Sequence, residues 1–267
     1  MNFVTAFLAE ALPLIEYYQM EKVSGPNCPM YRCEQHTLII SGMGKEKASG
    51  ATSFLGQLKE DRSEVWLNLG IAGHGEYDLA EPFLAGKILD DKEREVFFPP
   101  QILGDICKVS SLITCTQPAT EYLAGMGYDM EAHAFYQQAS RFATRELVQV
   151  LKIVSDNPSN PLQKISSKVA TQLIEETFEI VTNLVDQLEQ LAKEIQPPKS
   201  LKILYQKLLN TQQFSATRAH QLYDLIRHTH ALGKDLEQLE SLVLSAGNAA
   251  SALSRGEEWL KDSRKMR

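Results

Sequence analysis

The chain has 267 residues, is 43% hydrophobic and 23% charged, and carries a formal net charge of −7. That length can bury a substantial core, and the composition is that of an ordinary globular protein. No apolar run nears the roughly 18–20 residues of a membrane span. Glu10 interrupts the N-terminal apolar stretch, so no signal peptide is expected. Cys28, Cys33, Cys107 and Cys115 form neither a CxxC pair nor a metal-ligand spacing. Reduced thiols, a cytoplasmic setting and no metal or cofactor are therefore expected.

In chain order, Phe3-Val4-Thr5-Ala6-Phe7 predicts a short first strand, followed by a helix containing Leu12, Leu14 and Ile15. Thr37–Ser41 is an apolar strand leading into Gly42-Met43-Gly44-Lys45, after which a helix runs to about residue 59. Glu64–Leu69 is a strand expected to empty into a glycine-rich turn, Gly70-Ile71-Ala72-Gly73-His74-Gly75. Gly86–Leu89 and Val109–Thr114 are further strands, a helix starts near Glu131, and Val150–Ser155 forms a strand that Asp156 closes. Strands alternating with helices predict an α/β layer fold. From Ile174 to Ile195, apolar residues recur at three- and four-residue steps, the mark of an amphipathic helix.

The charge is unevenly spread. From residue 197 onward there are 11 basic and 7 acidic residues, against 16 and 27 in the first 196. The change falls at Gln196-Pro197-Pro198-Lys199, where two prolines forbid a continuous helix. An acidic body, 1–196, and a mildly basic helical appendage, 197–267, are expected. The appendage should hold helices at Ser200–Asn210, from an N-cap at Ser215 through Leu232, at Leu236–Leu244 and at Ala249–Lys261. His220, Arg227, His228 and His230 cluster there, but with no aromatic interleaving a dimerisation or docking role is favoured over nucleic-acid binding.

Glu131 and Asp156 are the residues that carry most chemistry. A helix start and a strand end border the crevice of an open α/β sheet. Two carboxylates facing one crevice can divide the breaking of a glycosidic bond, one holding the sugar and the other protonating the leaving group. The same two residues also suit a purely structural task, capping a helix and a loop. His133 lies two positions after Glu131, about 200° round a helix, and so packs elsewhere. His74, in the glycine-rich segment, is the histidine better placed to touch a ligand.

Five segments, in this order, resemble the nucleoside phosphorylase/nucleosidase superfamily, and most of all its 5′-methylthioadenosine/S-adenosylhomocysteine nucleosidases. They are Ala6-Phe7-Leu8-Ala9-Glu10, Ser41-Gly42-Met43-Gly44-Lys45, Asn68-Leu69-Gly70-Ile71-Ala72-Gly73, Met130-Glu131-Ala132 and Ser155-Asp156. A helix over 164–195 matches the family's closing helix, and nothing there corresponds to the appendage. The resemblance implies a mixed, twisted and partly closed sheet flanked by helices. It also implies cleavage of the N-ribosidic bond of a nucleoside, in a homodimer.

On the family pattern, Glu131 accepts hydrogen bonds from the ribose hydroxyls with Met130 beneath the sugar. Asp156 protonates the leaving base, with Ser155 orienting it and Asn157 near the base. Ala72 and Gly73 wall the substrate pocket. Glu10 activates water, and Lys152 stands where a basic residue helps to position the nucleophile. Ile71 replaces the Ser of the phosphorylases, which points to hydrolysis rather than phosphorolysis. In Cys115-Thr116-Gln117-Pro118-Ala119-Thr120 the adenine-stacking aromatic of the relatives is missing, and Gln117 can read a base edge instead. A phosphate-dependent phosphorylase and a non-catalytic nucleoside-binding or scaffold protein are the alternative functions.

Overall fold

A computed structural model describes residues 1–25, 28–58, 64–161, 166–195 and 198–262. The chain divides into two compact units, Met1–Ile195 and Gln196–Arg267. The first contains strands β1 (Asn2–Thr5), β2 (Glu21–Val23), β3 (Met30–Arg32), β4 (Thr37–Ile40), β5 (Trp66–His74), β6 (Pro82–Asp90), β7 (Lys108–Thr114), β8 (Met126–Asp129) and β9 (Val148–Asp156). Its helices are α1 (Leu8–Tyr17), α2 (Lys45–Gln57), α3 (Ala132–Phe142), α4 (Ser167–Glu176) and α5 (Phe178–Ile195).

The strands form one mixed sheet, ordered β2-β3-β4-β1-β5-β8-β7-β6-β9, with β9 pairing back onto β5. That last pairing closes β5, β8, β7, β6 and β9 into a ring and leaves the other four strands as an open wing. β5 runs parallel to both β1 and β9, so these three strands end on the same side. Every residue of β9 from Val148 to Val154 is buried, as expected of a strand covered on both faces. Alternate side chains feed two cores. Phe3, Leu67, Leu69, Leu151 and Ile153 pack with α1, α4 and α5, whereas Val4, Trp66, Val148, Val150 and Val154 pack with α2 and α3.

Two sequence expectations are corrected. Gly70–Gly73 is not a turn, because β9 pairs with β5 along the whole of Trp66–Gly73 and holds those glycines extended. The expected 164–195 helix is two helices broken at Thr177, whose hydroxyl bonds back to the carbonyls of Leu173 and Ile174 at 3.1 and 3.2 Å. Positions 59, 164, 165, 196 and 197, where several predicted boundaries fall, lie outside the described residues.

The second unit has helices α6 (Lys199–Leu209), α7 (Ala216–Ala231), α8 (Leu236–Leu244) and α9 (Ala249–Asp262). Ser215 caps α7 by accepting from the Arg218 amide, and Asp235 caps α8 by accepting from Glu237 and Gln238. Leu208, Leu222, Ile226, Leu239, Val243 and Ala252 give it a core of its own.

Candidate active site

A cavity of about 720 Å³ opens at the carboxyl ends of β1, β5, β8 and β9, where ligands bind in open α/β sheets. Its wall includes Ala6–Glu10 after β1, Met43 after β4, Ile71–Gly73 in β5, Tyr128–Glu131 around the end of β8, and Ser155 and Asp156 in β9. Pro118 and Ala119 from the loop after β7, and Ser166, Ser167 and Ala170 at the start of α4, complete it. The cavity lies wholly within the first unit.

Glu10 is only 2% exposed. One carboxylate oxygen accepts the amides of Ala6 and Phe7, both at 2.9 Å, and the other accepts Ile71 at 3.0 Å. The bond from Phe7 is half of a capping box, a third-position Glu reaching back to the residue that opens its own helix. Burial raises the Glu10 carboxyl above its usual range, against the pull of Lys152 and these amides. Gly70 makes the approach possible, since a Cβ there would sit 2.8 Å from Oε1 of Glu10.

Glu131 is the residue just before α3 and crosses to the start of α2, where its Oε1 accepts the Gly44 amide at 2.7 Å. Gly44 has φ +104°, a conformation L side chains rarely adopt, and it presents that N–H at the positive end of the helix. Burial, and then the neighbouring Asp129 charge, push Glu131 up to about 7, with Lys152 and the Gly44 amide pulling the other way. Asp129 is the centre of this cluster. Its Oδ1 accepts the Thr114 hydroxyl at 2.8 Å, and its Oδ2 accepts the Ala132 amide at 2.8 Å and pairs with Lys152 Nζ at 2.9 Å.

Burial works against the Lys152 ammonium, but Asp129, Glu131 and Glu10 together hold its pKa above the ordinary lysine value. One fully buried cation thus faces three carboxylates. Lys152, expected to help position the nucleophile, is not among the residues lining the cavity. Its ammonium meets the carboxylates behind the wall instead.

Asp156 sits at a bulge. Ala72 pairs with Val154 and Gly73 with Asp156, so Ser155 is an extra residue in β9. Neighbouring strand residues normally face opposite ways, but the bulge lets Ser155 and Asp156 both line the cavity. The Ser155 hydroxyl donates to Oδ1 of Asp156 at 2.6 Å, and the Tyr122 hydroxyl donates to Oδ2. Gly73 is required here too, since a Cβ would lie 2.6 Å from both Asp156 Oδ2 and Tyr122 Cε1.

Of the residues singled out from sequence, Glu10, Ala72, Gly73, Met130, Glu131, Ser155 and Asp156 meet in this one cavity. Gln117 and Asn157 do not line it. Asn157 donates to the Tyr77 carbonyl at 2.9 Å and accepts the amides of Ser159 and Asn160 at 3.1 and 2.8 Å, so it ties a loop rather than reaching a base. His74 is likewise structural. It is fully buried, stacks on Tyr77, accepts the amides of Glu76 and Tyr77 at Nδ1, and so donates from Nε2 to Ser110 at 2.9 Å. Burial lowers its pKa, in keeping with a neutral ring. His133 packs away from the cavity, with Nε2 at 3.0 Å from the Glu95 carbonyl.

Sequence reasoning missed Asp129, Tyr122 and Tyr128. Asp129, immediately before the Met130-Glu131 pair, could have been found as a helix-start carboxylate. Tyr128 brings an aromatic to the cavity wall from β8, not from the loop where the family pattern places one.

No family model and no curated protein matches this chain. Solved structures do. It is similar to a Helicobacter pylori 5′-methylthioadenosine/S-adenosylhomocysteine nucleosidase at 13% identity and a TM-score of 0.56, over 69% of this chain and 97% of that one. The Campylobacter jejuni enzyme of the same name matches at 15% identity and 0.56, over 72% and 98%. The 5′-methylthioadenosine nucleosidase of Arabidopsis thaliana matches at 19% and 0.55, over 69% and 94%. At these identities the likeness is one of fold: a mixed, partly closed sheet flanked by helices.

Proposed function

We propose that the first unit hydrolyses the N-ribosidic bond of a purine-type nucleoside. The observation that carries this reading is that Glu10, Glu131 and Asp156, from three separate strand ends, line a single cavity. The bond breaks through a ribosyl cation, which a carboxylate-rich site stabilises. Glu131 accepts the ribose hydroxyls while Met130 supports the sugar. The C1′–N electron pair leaves on the base as Asp156 protonates a base nitrogen, and Ser155 orients that carboxyl. Water adds to C1′ and loses its proton to Glu10, whose desolvation makes it a stronger base. A phosphate dianion entering beside Glu10, Asp129 and Glu131 would meet three carboxylates and one ammonium, which favours water.

The fold likeness to nucleosidases supports this reading, as does the fit of a 720 Å³ cavity to a nucleoside-sized ligand. A cytoplasmic homodimer, with the helical unit as its dimerisation or docking appendage, is part of the same proposal. The test is a panel of purine and pyrimidine nucleosides, including 5′-methylthioadenosine, assayed for free base with and without phosphate. Base release independent of phosphate is expected. No release from any nucleoside, or a strict phosphate requirement, would overturn the proposal.

A further inference from the structure

The Tyr122 hydroxyl carries one hydrogen and, among the described residues, has two acceptors in reach, Oδ2 of Asp156 and the carbonyl of Ala119 at 3.3 Å. With Asp156 ionised, that hydrogen points at the carboxylate. With a proton on Oδ2, the phenol oxygen accepts the carboxylic O–H, and its own hydrogen turns to Ala119. Neither state strands a polar group, and the exchange needs only rotation about the C–O bond. The ring itself is fixed. Tyr128 meets it edge-on at 5.5 Å and accepts the Leu123 amide at 2.9 Å, and β5 offers Gly73 where any Cβ would collide with both Tyr122 and Asp156.

We propose that Tyr122 is a positioning residue that carries Asp156 through both of its protonation states during turnover. This inference rests on the hydrolytic reading above. Asp156 gives its proton to the base nitrogen as the C1′–N electron pair departs, and it regains one from solvent after release. Glu10 returns the proton taken from water, so no net proton is consumed. Tyr122 turns its hydrogen to Asp156 as charge develops there and away as the carboxyl is refilled. Ser155 holds the other oxygen.

The test compares Tyr122→Phe with the parent on two substrates. 5′-Methylthioadenosine needs its leaving base protonated, whereas 4-nitrophenyl β-D-riboside releases a stable anion. In Tyr122→Phe, kcat on methylthioadenosine should fall about tenfold, with KM within about twofold, and the rate ratio of nitrophenyl riboside to methylthioadenosine should rise about tenfold. An unchanged ratio would overturn the inference, because a merely structural loss slows both.

Thermal melting of Tyr122→Phe, Asp156→Ala and the double variant reads the same contact without turnover. The Tyr122→Phe shift should shrink by more than half when Asp156 is absent. Equal shifts in both backgrounds would refute the coupling. If the parent cleaves no nucleoside of the panel, the hydrolytic reading fails, and the melting cycle still decides whether Tyr122 serves Asp156.

Discussion

The two ends of the cavity hold their carboxylates in different ways. At the end proposed to hold the sugar, Glu10 and Glu131 are bound by backbone amides of Ala6, Phe7, Ile71 and Gly44, with Asp129 and Lys152 behind them. At the end proposed to hold the base, Asp156 is held by the side-chain hydroxyls of Ser155 and Tyr122. A backbone N–H can only donate, whereas a hydroxyl can donate or accept. The first arrangement holds its carboxylates in one position with partners that cannot change role, and the second gives its carboxyl partners that can reverse role as it loses or gains a proton. Fixed position suits groups that must face a cation or a water molecule, and a hydroxyl frame suits a general acid.

Substitutions at the two ends should therefore fail in different ways. Asp156→Asn should slow base release from a purine nucleoside by about 10²–10⁴-fold, the usual contribution of a general acid. Its melting temperature should stay close to the parental one, because an amide can still pair with both hydroxyls. A large fall in stability would erase the distinction. Lys152→Met should show the reverse emphasis, losing about 3–5 kcal/mol in denaturant unfolding, because buried carboxylates are left without their cation.

The pH dependence of stability sharpens the contrast. Glu131 is raised from 4.5 to about 7, so between those values the folded protein binds more protons than the unfolded chain. The stability this group contributes is full below about 4.5 and is lost as pH rises through about 7. Melting of the parent should show that slope, and Glu131→Gln should flatten it. In the same window kcat/KM should fall as pH drops below about 7, because a protonated Glu131 accepts ribose hydroxyls poorly. The smallest effect is expected from Asn157→Ala. It should cost about 1–2 kcal/mol of stability through its lost loop bonds while leaving kcat/KM within about threefold.

Local patterns were legible. The apolar runs of β1, β4 and β9, the helix starts, and the carboxylates placed next to them all follow from neighbouring residues. So do the appendage helices, whose N-cap at Ser215 is a short-range feature. What sequence did not show depends on partners far along the chain. Gly70–Gly73 looks like a turn until β9 pairs with it. β2 and β3 are three residues each and exist through pairing with each other and with β4. Tyr122 reaches Asp156 across 34 positions, and Asn157 reaches Tyr77 across 80. Lys152 interrupts an apolar strand and gave no hint that Asp129, on another strand, would receive it.

Single-turnover cleavage of the purine nucleosides of the panel, 5′-methylthioadenosine among them, in H₂¹⁸O without phosphate tests the central claim most directly. If Glu10, Glu131 and Asp156 form one hydrolytic site, free base should appear together with a ribose product carrying ¹⁸O at C1′, and Asp156→Asn should slow the appearance of both by about 10²–10⁴-fold. Absence of base release, release only as a ribose phosphate when phosphate is added, or full activity in Asp156→Asn would contradict it.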